Sequence, residues 1–154
     1  MDYELNGRVA GPTGNRDPWL VQGAYPCAGE DEWVTLSIGR IEEWHTLCRL
    51  MERQELVEDN RFENMAGLRA NHDDVDQVIG VWTADKDPIE LFHLLQKEGI
   101  VAGPIFHEPH AYADPHLKER NFFVPIDHPE IGVHMYPSTT FQMSRTPFLS
   151  LIHI

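Results

Sequence analysis

The chain has 154 residues, of which 42% are hydrophobic and 10% aromatic, and this composition excludes the disordered and fibrous classes. Its 25 acidic residues outnumber the 12 basic ones, and the net charge of −13 argues against binding to nucleic acid, an anionic membrane surface or a polyphosphate. The sequence shows no signal peptide and no long apolar run, and its two cysteines are Cys27 and Cys48. We therefore expect a cytoplasmic protein of one globular domain with reduced thiols, and a disulfide between the two cysteines stays open as the alternative.

The N-terminal residues carry few apolar side chains and end in a cluster of breaker residues, Gly11-Pro12-Thr13-Gly14. A self-contained domain rarely begins with a fragment of helix and a linker. We expect residues 1–12 to be the tail of a larger upstream domain with its linker, and residues 13–147 to form a small domain.

An irregular stretch from Gly14 to Trp19 follows, rich in glycine, proline and arginine. Glycine permits and proline fixes backbone torsions outside the regular elements, so such a stretch holds a specific shape. The residues alone leave two interpretations open. The stretch is a rigid linker that Trp19 anchors to the core, or a loop whose backbone and Arg16 approach a carboxylate or thioester oxygen.

A hairpin is predicted next, with one strand around Tyr25 and the other from Trp33 to Ile38. In the second strand Val34, Leu36 and Ile38 alternate with polar residues, which indicates one buried face.

Four helical segments are then predicted from apolar periodicity and capping signals. They cover Ile41 to Met51, a helix capped by Asn71 and running to Trp82, a helix from Asp87-Pro88 to Gly99, and a brief helix begun by Asp114-Pro115, and a further short helix with a turn is predicted within Glu52 to Met65. In the last two, an aspartate before a proline is typical of a cap followed by the first helical residue.

Extended segments dominate the C-terminal part. Ile100 to Phe106 predicts a short kinked segment, and three further strands are predicted at Phe122 to Ile126, Val133 to Tyr136 and Thr139 to Met143. We expect these three to pair as an antiparallel patch. The fold class is therefore α+β, a small domain with several helices and a small, mainly antiparallel sheet.

The histidines and cysteines that could form a metal site or a nucleophile are explained by structural roles. His107, His110 and His116 lie near one another with acidic residues among them, but Pro109 interrupts regular helix, which favours a solvated turn over a metal site. Cys27 precedes a run of acidic residues and Cys48 lies on the buried side of its helix, so neither has the setting of a nucleophile. The sequence assigns no catalytic residue and no metal ligand.

A series of motifs occurs in order across residues 13–147. They read GNRDPW, YPCAGEDEWVTLSI, EEWHTLC, DNRF, GIVAGPI, ADPHLKERNFF and DHPEIG. With these motifs the chain resembles the later, small-domain part of the class III CoA-transferases, the family of formyl-CoA and carnitine CoA-transferases.

The resemblance implies acyl transfer between coenzyme A and a carboxylic acid. In this family a catalytic aspartate attacks the acyl-CoA thioester and forms a mixed anhydride, after which the thiolate exchanges through covalent intermediates. That aspartate lies upstream of the matched segment, so no residue of this chain corresponds to it and the chain alone should be inactive. The implied parent is an interlaced homodimer that takes a coenzyme A thioester as substrate, with no cofactor bound by this chain.

The loop Gly14, Asn15 and Arg16 falls where relatives carry a glycine-bearing loop that covers the active site. The resemblance therefore implies a substrate-binding role for these three residues. Arg16-Asp17-Pro18 should be stiffer than the run of glycines in some relatives.

Two other functions stay open. The family also contains racemases and isomerases of acyl-CoA thioesters, and a free-standing acidic domain could bind a protein partner through exposed aromatic side chains.

At the C-terminus, Leu149 to Ile154 is what the transposon end used to tag sequencing libraries encodes. We therefore expect residues 148–154 to be a non-native tail.

Overall fold

A computed structural model describes residues 2–7, 9, 11 and 16–146 of the chain. Gly14, Asn15 and the expected non-native tail lie outside the described residues. The chain divides into two compact units, Met1–Ile105 and Phe106–Ile154, each taken by itself below.

The first unit contains a three-stranded antiparallel sheet. Its strands are β1 (Val21–Pro26), β2 (Trp33–Ile38) and β3 (Val101–Ile105), in the order β1-β2-β3. β1 pairs Val21 with Ile38, and β3 pairs Val101 with Ser37. The predicted hairpin is confirmed, and the segment predicted as merely extended forms the second partner of β2. Pro104 is tolerated there because β3 is an edge strand.

Several helices of the first unit pack against this sheet. The first unit has α1 (Asp2–Asn6), α2 (Ile41–Leu50), short 3-10 turns at Gln54–Leu56 and Asn60–Phe62, α3 (Met65–Ala70), α4 (His72–Thr83) and α5 (Pro88–Lys97). The predicted start of α5 is confirmed, since the Asp87 carboxylate accepts hydrogen bonds from the backbone N–H groups of Ile89 and Glu90. Gly99 follows the helix with a φ of 80°, the left-handed conformation that glycine adopts without strain.

The predicted capping role of Asn71 is wrong. Asn71 holds the position before α4, but its side-chain amide donates to the carbonyls of Gly67 and Arg61 instead of accepting from the first turn of α4. The preceding helix α3 ends at this residue, so its unsatisfied carbonyls compete for the same side chain.

The core of this unit lies between the sheet and the helices. Trp44 of α2 packs on Phe62 with ring centroids 5.5 Å apart, and both side chains are buried. Its other buried hydrophobic members come from the inner face of the sheet, from the helices and from the connecting turns: Val21, Tyr25, Cys27, Val34, Leu36, Ile38, Leu47, Cys48, Met51, Leu56, Leu68, Val75, Ile79, Leu91, Leu95 and Ile100.

The second unit contains α6 (Glu108–Ala113), α7 (Pro115–Glu119) and a hairpin of β4 (Phe123–His128) and β5 (Gly132–Pro137). Tyr112 stacks on Phe123 with centroids 4.2 Å apart. The Asp114 carboxylate accepts from the N–H of Leu117, which confirms the predicted start of α7.

The third strand predicted at Thr139 to Met143 is wrong, because that segment has no regular structure and the hairpin stays two-stranded. The α+β class with small antiparallel sheets is confirmed. Within the described part of the chain, no helix combines the length and the apolar character that crossing a membrane requires.

Candidate functional site

A groove of about 600 Å³ lies on the outer face of the three-stranded sheet. Thr35 and Ser37 of β2 alternate with buried residues, so their side chains point away from the core, and Gln22 of β1 pairs with Ser37 on the same face. Gly103 of β3 adds no side chain, and Arg16 and Asp17 complete the lining. We call this feature the outer groove. Its lining combines apolar residues with a few polar side chains, so it can accept a ligand that has both apolar and hydrogen-bonding groups.

Arg16 is held by acidic residues of α4. Its guanidinium forms an ion pair with Asp73 and lies 3.7 Å, Nη2 to Oδ2, from Asp76. The hydrogen bond with Asp73 is the largest cause that raises the pKa of Arg16 above its ordinary value, so this group stays charged.

The residues after Arg16 are fixed by three further hydrogen bonds. The Asp17 carboxylate accepts from the backbone N–H groups of Trp19 and Leu20 at 2.7 and 2.9 Å. Arg69 of α3 donates to the carbonyl of Trp19 at 3.0 Å. A carboxylate that bonds to the backbone two residues on closes a turn, so Asp17 gives this segment its shape.

Asp76 links this segment to the buried face of β1. Its Oδ1 accepts a 2.8 Å hydrogen bond from the hydroxyl of Tyr25, and His72 Nε2 lies 3.4 Å from the same oxygen. His72 and Asp76 are four residues apart and therefore share one face of α4. Tyr25 is only 3% exposed. Burial, followed by the hydrogen bond to Asp76, raises the pKa of Tyr25 far above its ordinary value, so the phenol remains a donor.

Gly23 makes the path of the Tyr25 side chain possible. Both residues belong to β1 and lie on its inner face, since side chains two apart on a strand share a face. A Cβ at position 23 would lie 2.6 Å from both Cζ and Oη of Tyr25. The ring therefore occupies the space above Gly23, and this position lets its hydroxyl reach α4.

Of the three residues that the sequence predicts to bind substrate, the structure describes Arg16. Arg16 lines the outer groove, while Gly14 and Asn15 lie outside the described residues. The predicted anchoring of the stretch by Trp19 is wrong, because this side chain is 75% exposed. The anchors are instead the side chains of Arg16 and Arg69, which contact α4 and the Trp19 carbonyl respectively.

The histidines that the structure describes in the second unit form no cluster with metal-binding geometry. In the ranges that the structure describes, no three His, Cys, Asp or Glu side chains are grouped so that they could hold a metal ion. His107 and His110 contact each other through their rings at 5.9 Å between centroids.

Both cysteines are free and buried. Burial is the largest cause that raises the pKa of Cys27, and it raises the pKa of Cys48 to about 12. Thiols of this kind are poor nucleophiles because the reactive thiolate is scarce at neutral pH.

Sequence reasoning missed Gly23, Tyr25 and Asp76 as members of one network. The i, i+2 spacing of Gly23 and Tyr25 on a strand is a local signal for a ring that covers a glycine. Nothing local relates Tyr25 to Asp76, because 51 positions separate them.

The family model of CoA-transferase family III matches residues 1–151. The chain belongs to this family. A probable CoA-transferase of Mycobacterium tuberculosis is 35% identical over 112 residues, which are 73% of this chain and 14% of that protein. Succinyl-CoA–D-citramalate CoA-transferase of Chloroflexus aurantiacus is 24% identical over 147 residues, which are 95% of this chain and 36% of that protein. The chain thus spans well under half the length of these relatives.

Solved structures share the fold. A CAIB/BAIF family protein from Brucella suis superposes with a TM-score of 0.70 at 22% identity, over 97% of this chain and 40% of that one. Rv3272 from Mycobacterium tuberculosis superposes with a TM-score of 0.65 at 20% identity, over 80% of this chain and 34% of that one. Because the identities are low, these two comparisons concern the fold alone.

Proposed function

We propose that the chain is the small domain of an acyl-CoA:carboxylate CoA-transferase. The observation that carries this proposal is the match of the family model over residues 1–151, together with relatives named as CoA-transferases. The names of several relatives combine succinyl-CoA with D-citramalate, mesaconate or glutarate. The substrates proposed here are accordingly a coenzyme A thioester and a carboxylic acid acceptor.

The chemistry we propose is covalent and depends on residues outside this chain. An aspartate of the large domain attacks the thioester carbonyl, the thiolate of coenzyme A leaves, and an aspartyl mixed anhydride forms. The thiolate then attacks the aspartyl carbonyl and releases the donor acid, which leaves an aspartyl-CoA thioester. The acceptor carboxylate displaces the thiolate from this thioester, and the thiolate finally attacks the acceptor's acyl carbonyl, which yields the new acyl-CoA and frees the aspartate. The 154-residue chain by itself is proposed to be inactive, and the intact protein to be a cytoplasmic, interlaced homodimer.

The outer groove is proposed as the substrate-facing part of the chain. Its lining includes the side chains of Thr35, Ser37 and Arg16, and we propose that Gly14 and Asn15 bind substrate together with Arg16. Since the Arg16 guanidinium is already paired with acidic residues of α4, an incoming carboxylate would have to compete for it. We therefore propose that Arg16 contributes to substrate binding through the guanidinium N–H groups that face the groove and through its backbone.

The test begins with the gene. The coding sequence upstream of Met1 is recovered at its source, and the longer protein is expressed and given succinyl-CoA with a set of carboxylic acids. We expect new acyl-CoA products by mass spectrometry, and an enzyme-bound acyl group that hydroxylamine removes. The matched control is the 154-residue chain alone, which should give no product. Turnover by this chain alone would contradict the assignment of catalysis to the upstream domain.

Two alternatives give different results in the same experiment. A racemase or isomerase of the family would change the acyl-CoA without any acceptor acid. A non-catalytic acidic interaction domain would show a stop codon and a ribosome-binding site directly before Met1, with no large domain to recover.

A further inference from the structure

The carboxylate of Asp76 lies between a buried side chain and the outer groove. One oxygen, Oδ1, accepts the hydrogen bond of the Tyr25 hydroxyl at 2.8 Å. The other oxygen, Oδ2, lies 3.7 Å from Nη2 of Arg16, which lines the groove. The Asp76 side chain therefore contacts both the buried Tyr25 of β1 and Arg16, the first residue of the segment 16–20.

Asp76 and Asp73 differ in how firmly they are held. Asp73 also pairs with Arg16, but its side chain is 88% exposed, so water screens the pair and ordering the side chain costs rotamer entropy. The Asp76 side chain is 37% exposed, and the hydroxyl of a buried tyrosine already fixes it. The hydrogen bond from the Tyr25 hydroxyl to the ionised carboxylate is of the strong, charge-assisted type. Because this bond already restricts the Asp76 side chain, pairing with Arg16 costs Asp76 little further conformational entropy.

We propose that Asp76 is a positioning residue that acts through Arg16 to hold the segment of residues 16–20 at the outer groove. Tyr25 orients Asp76, and Gly23 leaves room for the Tyr25 ring. The position of the groove lining is thus set from the core. The consequence for substrate rests on the proposed function, because the groove is substrate-facing only in that proposal.

The segment offers a direct readout at two backbone amides. The N–H groups of Trp19 and Leu20 donate to the Asp17 carboxylate, next to Arg16. If Arg16 is released, this turn opens more often and both amides exchange with solvent faster. Solvent exchange is measured by ¹⁵N NMR on the 154-residue chain, with the amides of β2 as a reference for the folded state.

Asp76→Asn keeps an acceptor for Tyr25 and removes one of the two carboxylate charges that pair with Arg16. We expect the Trp19 and Leu20 amides to exchange about two to five times faster, the range that corresponds to loss of a partly exposed ion pair. Tyr25→Phe keeps the charge of Asp76 and removes the group that orients it. It should accelerate the same two amides, although the lost hydroxyl bonds to Asp76 and not to the segment.

Two controls decide whether the effect passes through Arg16. Asp74→Asn removes a carboxylate of the same helix that pairs with Arg61, and it should leave both amides unchanged. In an Arg16→Gln chain, adding Asp76→Asn should produce no further acceleration, because Arg16 is the link.

Unchanged exchange in Asp76→Asn, or a full additional effect of Asp76→Asn in the Arg16→Gln chain, would overturn the proposal. If Tyr25→Phe fails to fold, the asparagine variants still decide the outcome. No step uses catalysis, so a longer protein without transferase activity would refute the proposed function and leave this result standing.

Discussion

Replacement of Gly23 by alanine should disrupt the network that places Arg16. The new Cβ would lie 2.6 Å from Cζ and Oη of Tyr25, a distance that carbon atoms do not tolerate. The ring cannot simply swing into solvent, because Tyr25 is buried and its hydroxyl is bonded to Asp76. Gly23→Ala must therefore displace the ring and break or lengthen this hydrogen bond.

The magnitude follows from three contributions. Relief of overpacking by displacement costs about 1–3 kcal/mol. Loss of a hydrogen bond to a charged acceptor costs about 1.5–3 kcal/mol. Alanine recovers about 0.5–1 kcal/mol, because it loses less backbone entropy than glycine on folding. We therefore expect the free energy of unfolding of Gly23→Ala to fall by about 2–5 kcal/mol.

Urea unfolding followed by tryptophan fluorescence measures this loss in the right unit, because all four tryptophans lie before residue 106. The matched control is Gly103→Ala in β3 of the same sheet, where the nearest atom to the new Cβ is Thr35 Oγ1 at 3.7 Å. This variant should keep its stability within about 1 kcal/mol. Equal effects of the two substitutions would refute the steric argument. A Tyr25→Ala background should abolish most of the cost of Gly23→Ala, because the clashing ring is gone.

Predictions at four further positions concern stability. Gly67→Ala in α3 should destabilise by about 1–2 kcal/mol despite the better helix propensity of alanine, because its Cβ would lie 2.4 Å from the carbonyl oxygen of Arg61. Gly80→Ala in α4, with no atom within 4 Å of the new Cβ, should instead stabilise by up to about 1 kcal/mol, and urea midpoints with the same sign for both would contradict this contrast. Asp87→Ala removes the cap of α5 and should cost about 1 kcal/mol, visible as a lower melting temperature that Asp87→Asn largely restores. Burial raises the pKa of Cys48 from 9.0 to about 12, so the thiol ionises at lower pH in the unfolded state than in the folded state. The contribution of the neutral thiol to the free energy of unfolding is therefore fully present below pH 9 and is lost as the pH rises towards 12. The same slope of stability against pH in Cys48→Ala would disprove this.

Local signals in the sequence determined several elements correctly. The starts of α5 and α7 could be predicted because the capping carboxylates of Asp87 and Asp114 bond to amides only two or three residues away. The alternation in β2 fixed which of its residues face the core, since successive side chains of a strand point to opposite faces. Motif order was also sufficient to identify the family, which the family model confirms.

Local signals failed where side chains or backbone groups had distant competitors. Asn71 reads as a cap of α4, but the end of α3 takes its side-chain amide. The sequence predicts Trp19 as an apolar anchor, but its side chain is exposed and Arg69 donates a hydrogen bond to its carbonyl. The segment at Thr139 to Met143 has the composition of a strand, but no other strand in the described part of the chain pairs with it. A sequence pattern indicates which contacts a residue can make, but it does not indicate which of several possible partners the fold places beside it.

The sequence by itself therefore determined the class of the fold, the family and the elements whose hydrogen bonds close within a few residues. Only the tertiary structure decided that β3 becomes the second partner of β2 and that Arg16, Tyr25 and Asp76 form one network beside the outer groove. Arg16 is 57 positions from Asp73, and Tyr25 is 51 positions from Asp76. Contacts over such separations depend on how the whole core packs, because the burial of the sheet against α4 is what brings these side chains within reach.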